Sequence, residues 1–160
     1  MTERTIIAID PGNIESGYVI MQGVEIIQKG KIENDKMLNL IYGFHEFYYN
    51  ADLYIENVSS YGMSVGKSVF ETCIWIGRFY EAWKPTHETG SKEPELIYRK
   101  DIKMHHCNAT FAKDSNIITA LKDKYGEKGT KAKPGFFFGV SKDVWQAVAL
   151  ATFILETKND

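Results

Sequence analysis

Thr5-Ile6-Ile7-Ala8-Ile9-Asp10-Pro11-Gly12-Asn13-Ile14-Glu15-Ser16-Gly17-Tyr18-Val19-Ile20 runs from an apolar strand into a turn and back into a second strand. The near-continuous run from Ile6 to Ile9 suits a strand buried on both faces of a sheet, and Pro11-Gly12 stops it. Residues 5–20 therefore read as a hairpin whose second strand opens at Gly17. Asp10 ends the first strand, where a carboxylate either holds a metal ion or caps the turn. The rest of the chain decides between these roles.

Residues 24–32 alternate well enough for a third strand, and Asp35 is placed to cap a helix over 36–49, with Met37, Leu38, Ile41, Phe44 and Tyr48 at helical spacing. Asp52-Leu53-Tyr54-Ile55-Glu56 then repeats the opening device, a short apolar strand closed by an acid. The loop 57–66 is small and polar apart from Tyr61 and Met63. In the helix expected over 65–84, Val65, Val69, Cys73 and Ile76 form one apolar row, Phe70, Ile74 and Tyr80 another, and Trp75, Phe79 and Trp83 a third. So many apolar faces require more than one packing partner, and small Gly66, Cys73 and Gly77 would permit a close subunit contact.

A polar connection over 85–95, a strand at 96–98, a helical turn over 101–107 and a helix over 115–125 ended by Gly126 follow. The Gly/Lys/Pro-rich stretch 126–139 reads as an exposed, flexible loop. Ser141 is a candidate N-cap for a last helix reaching 156, with an apolar face of Val144, Ala147, Val148, Ala151, Ile154 and Leu155 and with Asp143 in its first turn. These elements predict an α/β fold in which a three-stranded antiparallel meander leads into parallel strands, giving a mixed five-stranded sheet flanked by helices. The 160 residues, 44% hydrophobic, suit one domain spanning 1–160.

Cys73 and Cys107 lie far apart without metal-type spacing, and no apolar N-terminal segment resembles a signal peptide or membrane span, so a cytoplasmic protein is expected. The net charge of −2 argues against coating nucleic acid non-specifically, but it is unevenly spread. Between Arg99 and Lys142, ten basic residues against four acidic ones give +6, leaving −8 for the remainder. Such asymmetry fits a footprint for a phosphate backbone, and it also fits a solvated lysine-rich loop. Lys100, Lys103, Lys113, Lys131, Lys133 and Lys142 are the candidate DNA contacts.

In the predicted topology Asp10 and Glu56 end neighbouring strands, and a last helix crossing the same edge would add Asp143. Three clustered acids repel one another unless divalent cations neutralise them, and oxygen-only ligands favour Mg²⁺ or Mn²⁺ over zinc. His105-His106-Cys107 is a poor zinc candidate, because adjacent side chains diverge and no second ligand pair lies at finger spacing.

IAIDPGNIESGYVI, YIENV and the closing block PGFFFGVSKDVWQAVALA together resemble the RuvC-type Holliday junction resolvases, in order and over nearly the whole chain. The stretch AKDSNIITAL with that closing block is similar to the bacteriophage branch, such as the lactococcal phage RuvC-like proteins. The resemblance implies a ribonuclease H-like fold, a homodimer in a bacterial host cell, and Mg²⁺-dependent cleavage of branched DNA, with Asp10, Glu56 and Asp143 as metal-holding catalytic acids. Bacterial members carry a further carboxylate where this chain has Gln146, which offers metal only a neutral carbonyl.

The expected chemistry is in-line phosphodiester hydrolysis between two Mg²⁺ ions bridged by Asp10. Branch shape and phosphate position would guide recognition, with Tyr61 and Met63 either a wedge at the crossover or loop residues that simply pack down. Two other functions compete: a non-cleaving branched-DNA-binding module, suggested by Gln146, and a phosphotransferase of the actin and sugar-kinase kind, for which 160 residues are too few to build two lobes.

Overall fold

The computed structural model describes residues 3–47, 50–83, 92–141 and 143–158. The elements are β1 (Thr5–Asp10), β2 (Glu15–Gln22), β3 (Glu25–Glu33), α1 (Asn34–Phe47), β4 (Ala51–Asn57), α2 (Lys67–Trp83), β5 (Glu95–Tyr98), α3 (Arg99–Cys107), α4 (Asp114–Tyr125) and α5 (Val144–Thr157). The strands form one sheet in the order β3-β2-β1-β4-β5. Antiparallel pairing joins β1 to β2 and β2 to β3, whereas β4 runs parallel to both β1 and β5. The expected mixed five-stranded, ribonuclease H-like sheet is therefore present.

Because side chains alternate across a strand, β1 feeds two cores. Ile6 and Ala8 join α5 residues such as Val148 and Leu150 on one face. Ile7 and Ile9 join Met37, Ile41, Ile76 and Phe79 from α1 and α2 on the other. The stretch from Val144 to Thr152 is buried throughout, wider than the single apolar face read from its sequence. That helix lies against the sheet under the cover of α3 and α4, so it has little solvent side.

Several boundaries move. Arg99 and Lys100 belong to α3, which begins two residues before the expected helical turn. The α1 helix starts at Asn34, placing Asp35 in its first turn; Tyr48, Tyr49 and most of the connection 85–95 lie outside the described residues. The final helix begins at Val144 with Asp143 at its N-cap and no side-chain cap bond, so Ser141 serves through its backbone carbonyl, accepting from the Val144 amide at 3.1 Å. In α2 the buried stripe is Thr72, Ile76, Phe79 and Trp83, while Cys73, Phe70 and Ile74 are exposed.

The segment 126–139 is more ordered than its composition suggests. Gly129 and Pro134 bridge across a tight turn, Phe136 stacks on Tyr125 at 4.9 Å, and Phe137 is fully buried against Trp145. Phe136 and Phe137 supply enough apolar area to anchor a loop whose polar residues alone would have left it free.

One buried polar tie joins α3 and α4 to α5. The Lys124 ammonium donates to His106 Nδ1 at 3.1 Å, which leaves Nε2 protonated to donate to the Ala149 carbonyl at 2.9 Å. Burial holds the His106 pKa below its ordinary 6.5, and the Lys124 charge lowers it further, against the opposing pull of the Ala149 carbonyl and Glu156. The unfolded chain therefore takes up this proton first on acidification, so stability held above the ordinary value is lost as pH falls below it. We expect thermal melting to fall between about pH 7 and pH 5.5, above the carboxylate range, and to fall less steeply in His106→Gln. Identical slopes for the two proteins, measured by circular dichroism, would contradict the assignment.

Candidate active site

Three parallel strands end at the same edge of the sheet, and each delivers a charged residue there. Ile9 pairs with Ile55 across β1 and β4, so the next residues, Asp10 and Glu56, are brought side by side. Strand β5 ends at Tyr98, so Arg99 opens α3 at that edge. These side chains share a hollow of about 200 Å³.

The turn that follows Asp10 is held rigidly. Asn34, almost fully buried, donates from Nδ2 to the Gly12 carbonyl at 2.9 Å, and its Oδ1 accepts from Ser16 Oγ at 2.6 Å. Ser16 Oγ in turn accepts from the Gly12 amide at 3.2 Å. Every polar atom in this small network has a partner, which fixes the exit of β1 and with it the position of Asp10.

The Asp10 and Glu56 carboxylates act directly on each other. Burial first, and then the Glu56 carboxylate, push the Asp10 pKa well above its ordinary value; Arg99 pulls it down and Asp143 adds a smaller upward push. Glu56 is 5% exposed, and its Oε2 has no hydrogen-bond partner among the described residues. Leaving a buried carboxylate oxygen unsatisfied is costly, and a hard cation relieves both that cost and the mutual repulsion of the pair. The residues present thus fit a divalent metal ion.

Arg99 is the functional residue that the sequence reading missed. Its Nη1 donates to Glu56 Oε1 at 3.1 Å and to Gln146 Oε1 at 3.0 Å, while Nη2 is held by Asp114 at the start of α4. Burial disfavours its charge, but Glu56 and then Asp114 and Asp10 more than compensate, so the guanidinium is held firmly protonated. Gln146 is buried, and its carbonyl oxygen accepts from Arg99. The signal lay in an arginine immediately after an apolar strand, a position obscured by starting the helix at residue 101.

Asp143 reaches the same edge from α5 but stands apart from the pair. Lys31 of β3 holds its Oδ2 at 2.5 Å, and this bond is the main reason the Lys31 pKa is raised. Ligand atoms of the three acids do not gather within 4.8 Å as a set. What does bring Asp143 near is Gly17, opposite Asp10 in the β1–β2 ladder: a Cβ there would lie 2.9 Å from the Asp143 carbonyl oxygen. Any larger residue would push the start of α5 away from the sheet.

The other predicted contacts are spread more widely. Tyr61 and Met63 are exposed, and Tyr61 adopts the left-handed conformation at φ 48°, uncommon for an aromatic residue. Lys100 and Lys103 project from α3 into a hollow shared with those two, whereas Lys113 caps α4 beside a different hollow. Lys131 and Lys133 are exposed in the turn bridged by Gly129 and Pro134, and Lys142 lies outside the described residues. His105, His106 and Glu156 do converge within 4.8 Å, but Lys124 already fills that group, 2.8 Å from Glu156 Oε1 and 3.1 Å from His106 Nδ1. An ammonium thus supplies the positive charge that a metal would otherwise bring.

The structure is similar to that of Thermus thermophilus RuvC, with TM-score 0.65, 13% identity and 95% of each chain covered. Its fold is that of RuvC. A second similar structure is T. thermophilus RuvC in complex with a Holliday junction substrate, with TM-score 0.61, 10% identity, and 93% of this chain and 91% of that chain covered. No protein-family model and no curated protein matches the sequence.

If Arg99 is the counter-charge for Glu56, its removal leaves a buried carboxylate that only a proton or a metal can neutralise. We expect Arg99→Gln to melt at lower temperature than the parent, and to regain more stability than the parent does on adding Mn²⁺. Equal Mn²⁺ shifts in differential scanning fluorimetry would show that Arg99 does not compensate these acids.

Proposed function

We propose that the protein is a metal-dependent, structure-selective endonuclease that hydrolyses phosphodiesters in four-way junctions and other branched DNA. The observation that carries this reading is the Asp10–Glu56 pair at the ends of adjacent parallel strands, with a buried, unpartnered Glu56 oxygen. A fold shared with a RuvC structure that holds a Holliday junction supports the substrate class. The sequence resemblance supports a role in processing bacteriophage recombination and replication intermediates.

Asp10 and Glu56 would hold the ion, Mg²⁺ with Mn²⁺ as substitute, and Asp143 would complete the set from the start of α5. When bound, such an ion supplies charge neutralisation at the phosphate and lowers the pKa of a water nucleophile. The chain's own residues do the rest. Arg99 orients Glu56 and keeps positive charge beside the scissile phosphate, while Lys31 restrains Asp143. Lys100 and Lys103, on the same helix as Arg99, extend that positive field along the approaching strand.

A junction with two-fold symmetry calls for two such sites. The α2 face carrying Phe70, 60% exposed, and Ile74, 63% exposed, with Gly66 and Gly77 open to solvent, is the surface we assign to a homodimer contact. A second reading, a branched-DNA-binding module without cleavage, is favoured by one observation. Gln146 brings no charge, and Arg99 consumes its carbonyl.

The test is incubation with synthetic four-way, three-way and linear duplexes, with and without Mg²⁺. We expect metal-dependent nicking of the branched substrates, with Asp10→Asn binding them but losing at least about a hundredfold in rate, the scale of removing a principal electrostatic element. Binding without cleavage by the parent, in either Mg²⁺ or Mn²⁺, would select the second reading. In the same assays, replacing Lys100 and Lys103 by Ala should reduce the slope of log affinity against log salt by about two. An unchanged slope would remove both lysines from the phosphate footprint.

A further inference from the structure

Phe111 is the most exposed large hydrophobic residue described, at 87%. It stands in the short turn between α3 and α4, where Asn108 adopts the left-handed conformation to end α3 and the Ala112 amide bonds back to the Ala109 carbonyl. Ala112 is buried and anchors the turn, so the backbone holds Phe111 outward instead of letting it fold down. Neither hydrophobic core includes it.

This ring borders a hollow of about 430 Å³ that Tyr61 and Met63 also line. Arg99, Lys100 and Lys103 also line the hollow, and among the described residues no carboxylate does. Tyr61 and Arg99 belong as well to the smaller hollow containing Asp10 and Glu56, so the two spaces adjoin. Two aromatic rings, a thioether and three cations lining one hollow form an environment suited to a planar aromatic group attached to a phosphate.

The geometry points to a subsite in which Phe111, in the hollow it shares with Tyr61 and Met63, receives an unpaired nucleobase of the DNA strand that leads to the acids. The inference rests on the nuclease reading and deepens it, because an unstacked base is what branched DNA offers and continuous duplex does not. Lys100 and Lys103 would hold the flanking phosphates, and the base would stack on Phe111 without any requirement for its identity. Structure selectivity would then come from a base-holding hollow beside the acids, in addition to any wedge at the crossover.

The experiment places 2-aminopurine at the centre of a four-way junction and within an oligothymidine strand, and measures binding and fluorescence without metal. The parent should quench the probe on both ligands. Phe111→Ala should lose that quenching and bind both about tenfold more weakly relative to duplex, whereas Phe111→Trp should retain both properties. Because Phe111 is exposed and uncharged, the melting temperature and the salt slope should match the parent in both variants. Parent-like quenching and affinity in Phe111→Ala would overturn the subsite while leaving the nuclease reading intact. Failure of the parent itself to bind branched DNA would overturn both.

Discussion

Two carboxylates of like charge, Asp10 and Glu56, are forced together by the pairing of β1 with β4, and the organisation of this edge of the fold follows from the need to neutralise them. At close range in a poorly solvated site both cannot remain ionised without compensation. The chain provides one permanent cation, Arg99, and anchors it from three directions through Glu56, Gln146 and Asp114. One guanidinium does not balance two acids with Asp143 nearby, and the unsatisfied Glu56 oxygen marks where compensation is incomplete.

The surrounding architecture positions this imbalance. Ser16 and Asn34 lock the turn after Asp10, and Gly17 lets the start of α5 approach the sheet, which brings Asp143 and Gln146 to the same edge. Each device is a local choice with a distant consequence: a single Cβ at residue 17 would move a carboxylate more than a hundred residues away in sequence. The cluster of His105, His106 and Glu156 shows the opposite outcome. There Lys124 completes the charge balance within the protein, so the group ties helices together.

Much of the sheet could be read directly from the chain because its signals are local. The apolar run of β1, the repeated strand-terminal acids and the turn at Pro11-Gly12 each report on their own neighbourhood. What escaped depends on long-range packing. Arg99 carried only the weak mark of following an apolar strand, and its meaning arises from contacts with β4, α4 and α5; the ordering of Phe136 and Phe137 required Tyr125 and Trp145 to be in place. The exposure of Phe111 likewise depends on how the turn between α3 and α4 packs. Asp143 was correctly placed at the start of the last helix, but its attachment to Lys31 depends on the β2–β3 pairing, which composition does not reveal.

The proposed chemistry requires a divalent cation between Asp10 and Glu56. Anomalous diffraction from crystals grown with Mn²⁺ tests this most directly. The account predicts a peak within coordination distance of both carboxylates, with the Glu56 oxygen that now lacks a partner among the ligands. Ordered crystals showing no Mn²⁺ at that pair, or showing it only beside His105 and Glu156, would contradict it.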